Sequence, residues 1–349
     1  MDFPVAPPVR DAIERAVSRG DLGYPDWPRH PLAEAFAERM DQLYDWQPNP
    51  FDVRGVTDLI QALQIILHLA SRPGQVVIAH VPNYPPFLAT VATMGRTLLP
   101  VPLEPEGDGW TWDHPRLQAS LAGTDSAVLL LVNPQNPTGR AFRRPELEAI
   151  AETAQRHNLL IVSDEIHAEL AHEPHRHSPF ASLGHDVAAR TVTITSAGKA
   201  FNIAGLRTAV AHVGPPALRQ AWDAQPPDLF GATNVLGVEA TLAAWRDGEA
   251  WLTGLRAELR SRRDLLERRL PSLPGIRFRV PDASYLAWLD CRGTGLVDPA
   301  AHFLAAGVQA SPGPDFGPGG EGFVRLNFAT TDEVLTQILD QIAGSLPCS

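Results

Sequence analysis

One residue type is nearly missing from this chain. Of its 29 basic residues, 28 are arginine and one, Lys199, is lysine. Arginine serves as well as lysine at most solvated positions, but a guanidinium stays charged at any working pH. A lone lysine therefore points to chemistry at its amine, most simply a Schiff base with a carbonyl compound, with chance survival as the bland alternative. Ser196 stands three residues before Lys199 and Arg207 eight residues after it. A hydroxyl and a guanidinium so placed can hold a phosphate dianion near the amine. Asp164 lies 35 residues upstream, and Asn136 lies 28 before that, in Asn133-Pro134-Gln135-Asn136-Pro137-Thr138-Gly139. Taken singly, Asp164 reads as a helix cap, Asn133 and Asn136 as turn residues before proline, and Arg207 as one arginine among many.

Together they meet the demands of one cofactor, pyridoxal 5′-phosphate (PLP). Its aldehyde needs a lysine, Lys199. Its pyridine nitrogen needs a carboxylate to stay protonated, and Asp164 fits. Its phenolic oxygen needs a donor, for which Asn136 and then His167 are candidates. Its phosphate needs a cradle: Ser196, Arg207 and a helix start expected at Gly55-Val56-Thr57, where backbone amides favour a dianion and Thr57 adds a hydroxyl. Its ring face needs a stacking partner, and Tyr84 is the best aromatic candidate.

These residues must be positioned by a scaffold, and its rhythm is legible. Ile60, Leu63, Ile66, Leu67 and Ala70 recur at helical spacing and stop at Pro73-Gly74. Apolar runs at 76–79, 127–132, 159–162, 191–195 and 208–211 read as buried strands, with a helix over 144–157 between two of them. This alternation predicts an α/β fold, a mostly parallel central sheet with helices on both faces. Polar residues sit just past three successive strand ends, where open α/β sheets bind ligands. From about Gly231 the texture changes: a long helical stretch runs through Trp251, Leu255, Leu259 and Leu266 and ends near Pro271, followed by short strands at 276–280, 285–289 and 323–328 and a last helix from about Asp332. This predicts a smaller α+β domain. The arginine-rich face of the long helix reads as solvated surface.

Composition narrows the classes. The chain has 349 residues, 44% hydrophobic, and a formal charge of −11, which disfavours nucleic acid or an anionic membrane as main partner. Two cysteines, Cys291 and Cys348, make no disulfide framework. No stretch is long and apolar enough for a membrane span, and residues 1–10 do not read as a signal peptide. A cytoplasmic protein is expected. His172, His175, His177 and His185 follow no helix-face pattern and read as a solvated loop, so no metal site is expected.

The order Asn-Pro-Gln-Asn-Pro-Thr-Gly, Ser-Asp-Glu-Ile-His, Ser-Ala-Gly-Lys-Ala-Phe-Asn-Ile-Ala-Gly-Leu and, at 325–327, Arg-Leu-Asn resembles fold-type I PLP enzymes of the class I/II aminotransferase superfamily. Residues 163–170, 199–206, 1–4, 177–183 and 243–252 more narrowly resemble the MalY/PatB branch, which includes cystathionine β-lyases. The resemblance implies a large PLP-binding domain over 40–235 and a small domain built from 1–39 and 236–349. It implies that Lys199 is the Schiff-base lysine, Asp164 the ring-nitrogen partner and Asn136 a phenolic-oxygen ligand, with His167 where many aminotransferases carry tyrosine. Ser196 and Arg207 match phosphate contacts, and Arg325 matches the clamp on a substrate α-carboxylate. It further implies a homodimer, in which Tyr24 reaches the partner's cofactor phosphate. Gly198 departs from the serine of many β-lyase relatives. Those relatives also carry a segment before the Met-Asp-Phe-Pro motif, leaving open an upstream native start or a member without it. The implied reaction is β-elimination from cystathionine or another S-substituted cysteine, giving thiol, pyruvate and ammonia. The alternatives are transamination between an L-amino acid and a 2-oxo acid, and a purely regulatory role.

Overall fold

A computed structural model describes residues 1–349 except 108, 122, 227, 228, 348 and 349. Cys348 thus lies outside the described residues, while Cys291 is a buried free thiol. The larger sheet has eight strands: β1 (Val53–Val56), β2 (Val76–Val81), β3 (Thr97–Glu106), β4 (Gly109–Trp112), β5 (Ser126–Val132), β6 (Leu160–Asp164), β7 (Thr191–Thr195) and β8 (Ala209–Val213). Their order is β1-β8-β7-β6-β5-β2-β3-β4. The five central strands β7, β6, β5, β2 and β3 run parallel, and β8, β1 and β4 join antiparallel to their neighbours.

The apolar runs are strands covered on both faces. Along β5, Val128, Leu130 and Val132 enter one core while Leu129 and Leu131 enter another, the two-residue alternation of a pleated strand. Each such side chain contributes roughly 1.5–3 kcal/mol by leaving water. A second sheet holds β9 (Arg277–Phe278), β10 (Leu286–Asp290), β11 (Ser311–Pro312) and β12 (Phe323–Asn327), all antiparallel in the order β11-β12-β10-β9. Helices α1 (Pro7–Arg19) and α2 (Leu32–Tyr44) share its core: Val9, Phe36 and Met40 cluster with Leu255, Leu259, Leu289 and Phe328.

Several expectations are corrected. The helix expected to start at 55–57 starts later, as α3 (Leu59–Ala70), with Asp58 accepting from the Gln61 amide as its cap. Gly55 and Val56 belong to β1, where pairing with Val210 and Ala209 outcompetes local turn preference, and Val56 is buried in the sheet core. The long helix read through Trp251 to Leu266 is present as Glu249–Arg269, and a further helix not anticipated, Val235–Asp247, precedes it across Gly248. A Cβ there would come within 2.4 Å of the Ala244 carbonyl oxygen and 2.5 Å of Phe201. The arginine-rich face is partly spent on internal ties. Arg262 is buried and donates to the Thr330 carbonyl, and Arg256 donates to that of Glu169. The strand expected at 276–280 is only Arg277–Phe278. Proline-bearing β3 was not anticipated. Its residues Thr97–Pro102 pair with β2, and β4 joins only from Leu103 on, so Pro100 and Pro102 fall where the other edge is open.

Candidate active site

The carboxyl ends of the parallel strands converge on a cavity of about 340 Å³. Asn136 follows β5, Asp164 ends β6, Ser196 and Lys199 follow β7, and Tyr84 follows β2. From the small sheet, Arg325 on β12 and Tyr285, next to β10, close the other side. A larger cleft of about 990 Å³ lies elsewhere, lined by Arg140, Arg279 and Asp282, and contains none of these groups.

Lys199 sits in a tight turn, held by the Phe201 amide on the Ala197 carbonyl (2.9 Å) and that of Ile203 on Gly198 (3.0 Å). Burial first, then the Arg325 charge, lowers the pKa of its amine, with Asp164 opposing. Asp164 is pushed up to about 7, chiefly by burial with help from Glu165. A hydrogen bond from the Ile166 amide (3.0 Å) and the charge of Lys199 oppose that rise. His167 is held down at about 3 by burial, then by Lys199 and Arg325, so it is neutral. Its Nδ1 is buried without a partner among the described residues, and its ring meets Tyr285 edge-on at 5.8 Å. Arg325 donates to Asn136 Oδ1 (3.0 Å) and Ser311 Oγ (3.2 Å), its guanidinium 4.9 Å from the Phe316 ring centre.

On the opposite flank, Ser196 Oγ donates to the Thr208 carbonyl (2.7 Å) and accepts from the Gly198 amide (2.9 Å). Arg207, with φ 51°, pairs with Asp58. The Thr57 amide donates to Gln61 Oε1 (2.8 Å). Tyr84 meets Phe87 edge-on at 5.5 Å, and burial raises its phenol pKa.

A family model described as "Aminotransferase class I and II" matches residues 1–342. This chain belongs to that family. Its sequence is 32% identical to the cystathionine beta-lyase PatB of Bacillus subtilis, over 99% of this chain and 90% of that one. It is 30% identical to the aspartate/prephenate aminotransferase of Thermus thermophilus, over 99% and 89%. Among solved structures, OvoB superposes with a TM-score of 0.95 at 36% identity, covering 100% of this chain and 91% of that one. The PLP-bound C-S lyase of Staphylococcus hominis superposes at 0.90 and 26%, covering 99% and 89%.

The cavity thus gathers Lys199, Asp164, Asn136, His167, Ser196, Arg207, Thr57, Tyr84 and Arg325. Two sequence candidates lie apart from it. Val56 is in β1, and Tyr24 is fully exposed on the loop between α1 and α2. Asp58 and Tyr285 are among the lining residues that were given no role by sequence reasoning. Asp58 had a usable signal, an acid directly before an apolar helical pattern; Tyr285 had none beyond opening a strand.

The histidine-rich loop also differs from expectation. His172 and His177 are buried rather than solvated. His172 Nε2 lies 2.7 Å from the Ser284 carbonyl, and His177 Nε2 lies 3.0 Å from Glu165. Glu165 also accepts from Ser163 Oγ (2.8 Å) and the Phe180 amide (2.9 Å), which ties the segment after Asp164 back to the sheet. One physical test favours a cationic ring beside Asp164. Its buried carboxylate has a single donor among the described residues, the Ile166 amide, and no cation in contact.

Proposed function

We propose that this chain is a PLP-dependent carbon–sulfur β-lyase acting on cystathionine or another S-substituted L-cysteine. When bound, PLP supplies an aldehyde that condenses with amines and a ring that accepts electrons from a substrate carbon. Lys199 would hold it covalently, Asp164 would keep its ring nitrogen protonated, and Asn136 and neutral His167 would face its phenolic oxygen. Tyr84 would cover the ring, and Ser196, Thr57 and Arg207 would lie around the phosphate.

The chain's own groups then divide the work. Arg325 grips the substrate α-carboxylate and orients its Cα–H bond. The Lys199 amine, its pKa lowered by burial and by Arg325, takes the Cα proton. The Cβ–S bond breaks, the sulfur leaves as thiol with the proton taken from Cα, and water hydrolyses the released three-carbon enamine to pyruvate and ammonia. The observation that carries this reading is the meeting of a low-pKa lysine, an isolated buried carboxylate and an arginine clamp in one cavity. The lyase names of PatB and the Staphylococcus hominis protein favour elimination.

The second reading, transamination, is favoured by the likeness to the Thermus aminotransferase, and the same lysine serves both outcomes. Cystathionine supplied alone should give steady pyruvate; turnover that stalls until a 2-oxo acid is added would replace elimination with transamination. Borohydride reduction of the holoprotein should fix a pyridoxyl label on the Lys199 peptide. Its absence there would remove both enzyme readings.

We further propose a large domain over 40–235 and a small one from 1–39 and 236–349, in a cytoplasmic homodimer. Exposed Tyr24 is free to reach a partner's site. No described helix is long and apolar enough to cross a membrane.

A further inference from the structure

The flank expected to hold the cofactor phosphate already contains an anion belonging to the chain. One carboxylate oxygen of Asp58 accepts from the Gln61 amide at 2.8 Å, and the other is paired with Arg207. The Thr57 amide is taken by Gln61 Oε1, and Ser196 Oγ is engaged with Thr208 and Gly198. The first-turn amides of Leu59 and Ile60 have no acceptor among the described residues, as helix geometry requires of a start without further caps. They are where a dianion would be drawn, directly beside Asp58.

Resting on the PLP reading above, we propose that Asp58 is a resident anion in the phosphate cradle. It sets how tightly this chain holds PLP by competing with the phosphate for Arg207 and the start of α3. Two effects of Asp58 oppose each other. As a strut, it holds Arg207, whose long side chain is 66% exposed, at the cavity mouth. As a charge, it repels an incoming dianion from a position only 21% exposed, where solvent screens it incompletely. Arg207 can be shared between two acceptors because a guanidinium carries five donors. The charge of Asp58 cannot be shared away. The repulsion therefore outweighs the strut.

Asp58→Asn separates the two effects, since asparagine keeps a good helix cap and an oxygen for Arg207 while losing the charge. Cofactor-free protein is titrated with PLP, following the visible band, for wild type, Asp58→Asn and Asp58→Ser, the last a second neutral cap. Both variants should bind PLP about tenfold tighter, the scale of one unit charge beside a dianion at partly screened range. The inhibition constant of inorganic phosphate against loading should fall about tenfold in the variants. Pyridoxal, which lacks the phosphate, should bind all three proteins alike. Equal or weaker PLP binding by both variants overturns the proposal, as does a change for pyridoxal as large as that for PLP. If no protein, wild type included, takes up PLP, the cofactor reading itself fails.

Discussion

Removing the charge of Asp164 should stabilise the cofactor-free protein, and by an amount that grows with pH. Its carboxyl is raised from 3.8 to about 7, chiefly by burial. The folded chain therefore binds this proton more tightly than the unfolded chain does. The resulting stability is fully present below pH 3.8 and is lost as pH rises to about 7. The whole span corresponds to roughly 4 kcal/mol at most, at about 1.36 kcal/mol per pH unit. Asp164→Asn mimics the neutral form and keeps an oxygen for the Ile166 amide. In denaturant titrations of the two cofactor-free proteins, the variant's advantage should grow by about 2–3 kcal/mol between pH 5 and pH 8. His30, His80, His167, His172 and His212 have the opposite sign. Their pKa values are lowered to about 4, or 3 for His167, so their contribution is lost as pH falls below 6.5. They are common to both proteins and cancel in the difference. Adding PLP should reverse the order, since only the ionised aspartate can pair with a protonated ring. A gap that stays constant from pH 5 to pH 8 would refute the assignment of an uncompensated buried carboxylate to Asp164.

Four further outcomes are expected. Lys199→Arg keeps the charge but not the condensing amine, so the visible band and the borohydride-fixed label should vanish, with turnover falling at least about 10³-fold. Arg325→Ala should lower kcat/KM for an amino-acid substrate by about 10²–10³-fold, and Arg325→Lys should recover only part of it, because an ammonium cannot reproduce the two-pronged grip. A double-mutant cycle with Asn136→Ala should show coupling of about 1 kcal/mol or more through their 3.0 Å hydrogen bond; strict additivity would mean that bond is idle in the working enzyme. His177→Ala should cost about 3 kcal/mol of stability in thermal or urea unfolding, since it strips a partner from the buried Glu165 carboxylate. His177→Gln should restore part of that loss.

What could be read from the chain was whatever is decided locally. The runs at 127–132, 159–162 and 191–195 are apolar without alternation because both faces of those strands are covered, and a polar residue ending such a run marks a strand end. That is why Asp164, Asn136 and Ser196 could be placed before any fold was known. The helix expected to start at Gly55-Val56-Thr57 starts later because Gly55 and Val56 are drawn into β1. Its pairing with β8 joins residues more than 150 positions apart, and no local propensity reports that. The histidine loop was misread for the same reason. His172 and His177 are buried because Ser284 and Glu165 supply partners from elsewhere.

Residue types mark what a site can contain, while hydrogen bonding decides which of its groups remain available. On the Arg207 flank, Ser196, the Thr57 amide and the guanidinium itself already have partners within the chain. Around Lys199 the reverse holds. Its amine, one oxygen of Asp164, the Nδ1 of His167 and the Tyr285 hydroxyl have no hydrogen-bond partner among the described residues. Of these, the Nδ1 of His167 is sealed from solvent, and a buried polar atom without a partner is costly, which favours a ligand completing this side of the cavity. The side that anchors and the side that reacts are thereby distinguished. A bound molecule must displace existing contacts at the first, whereas at the second it adds contacts that the folded chain lacks.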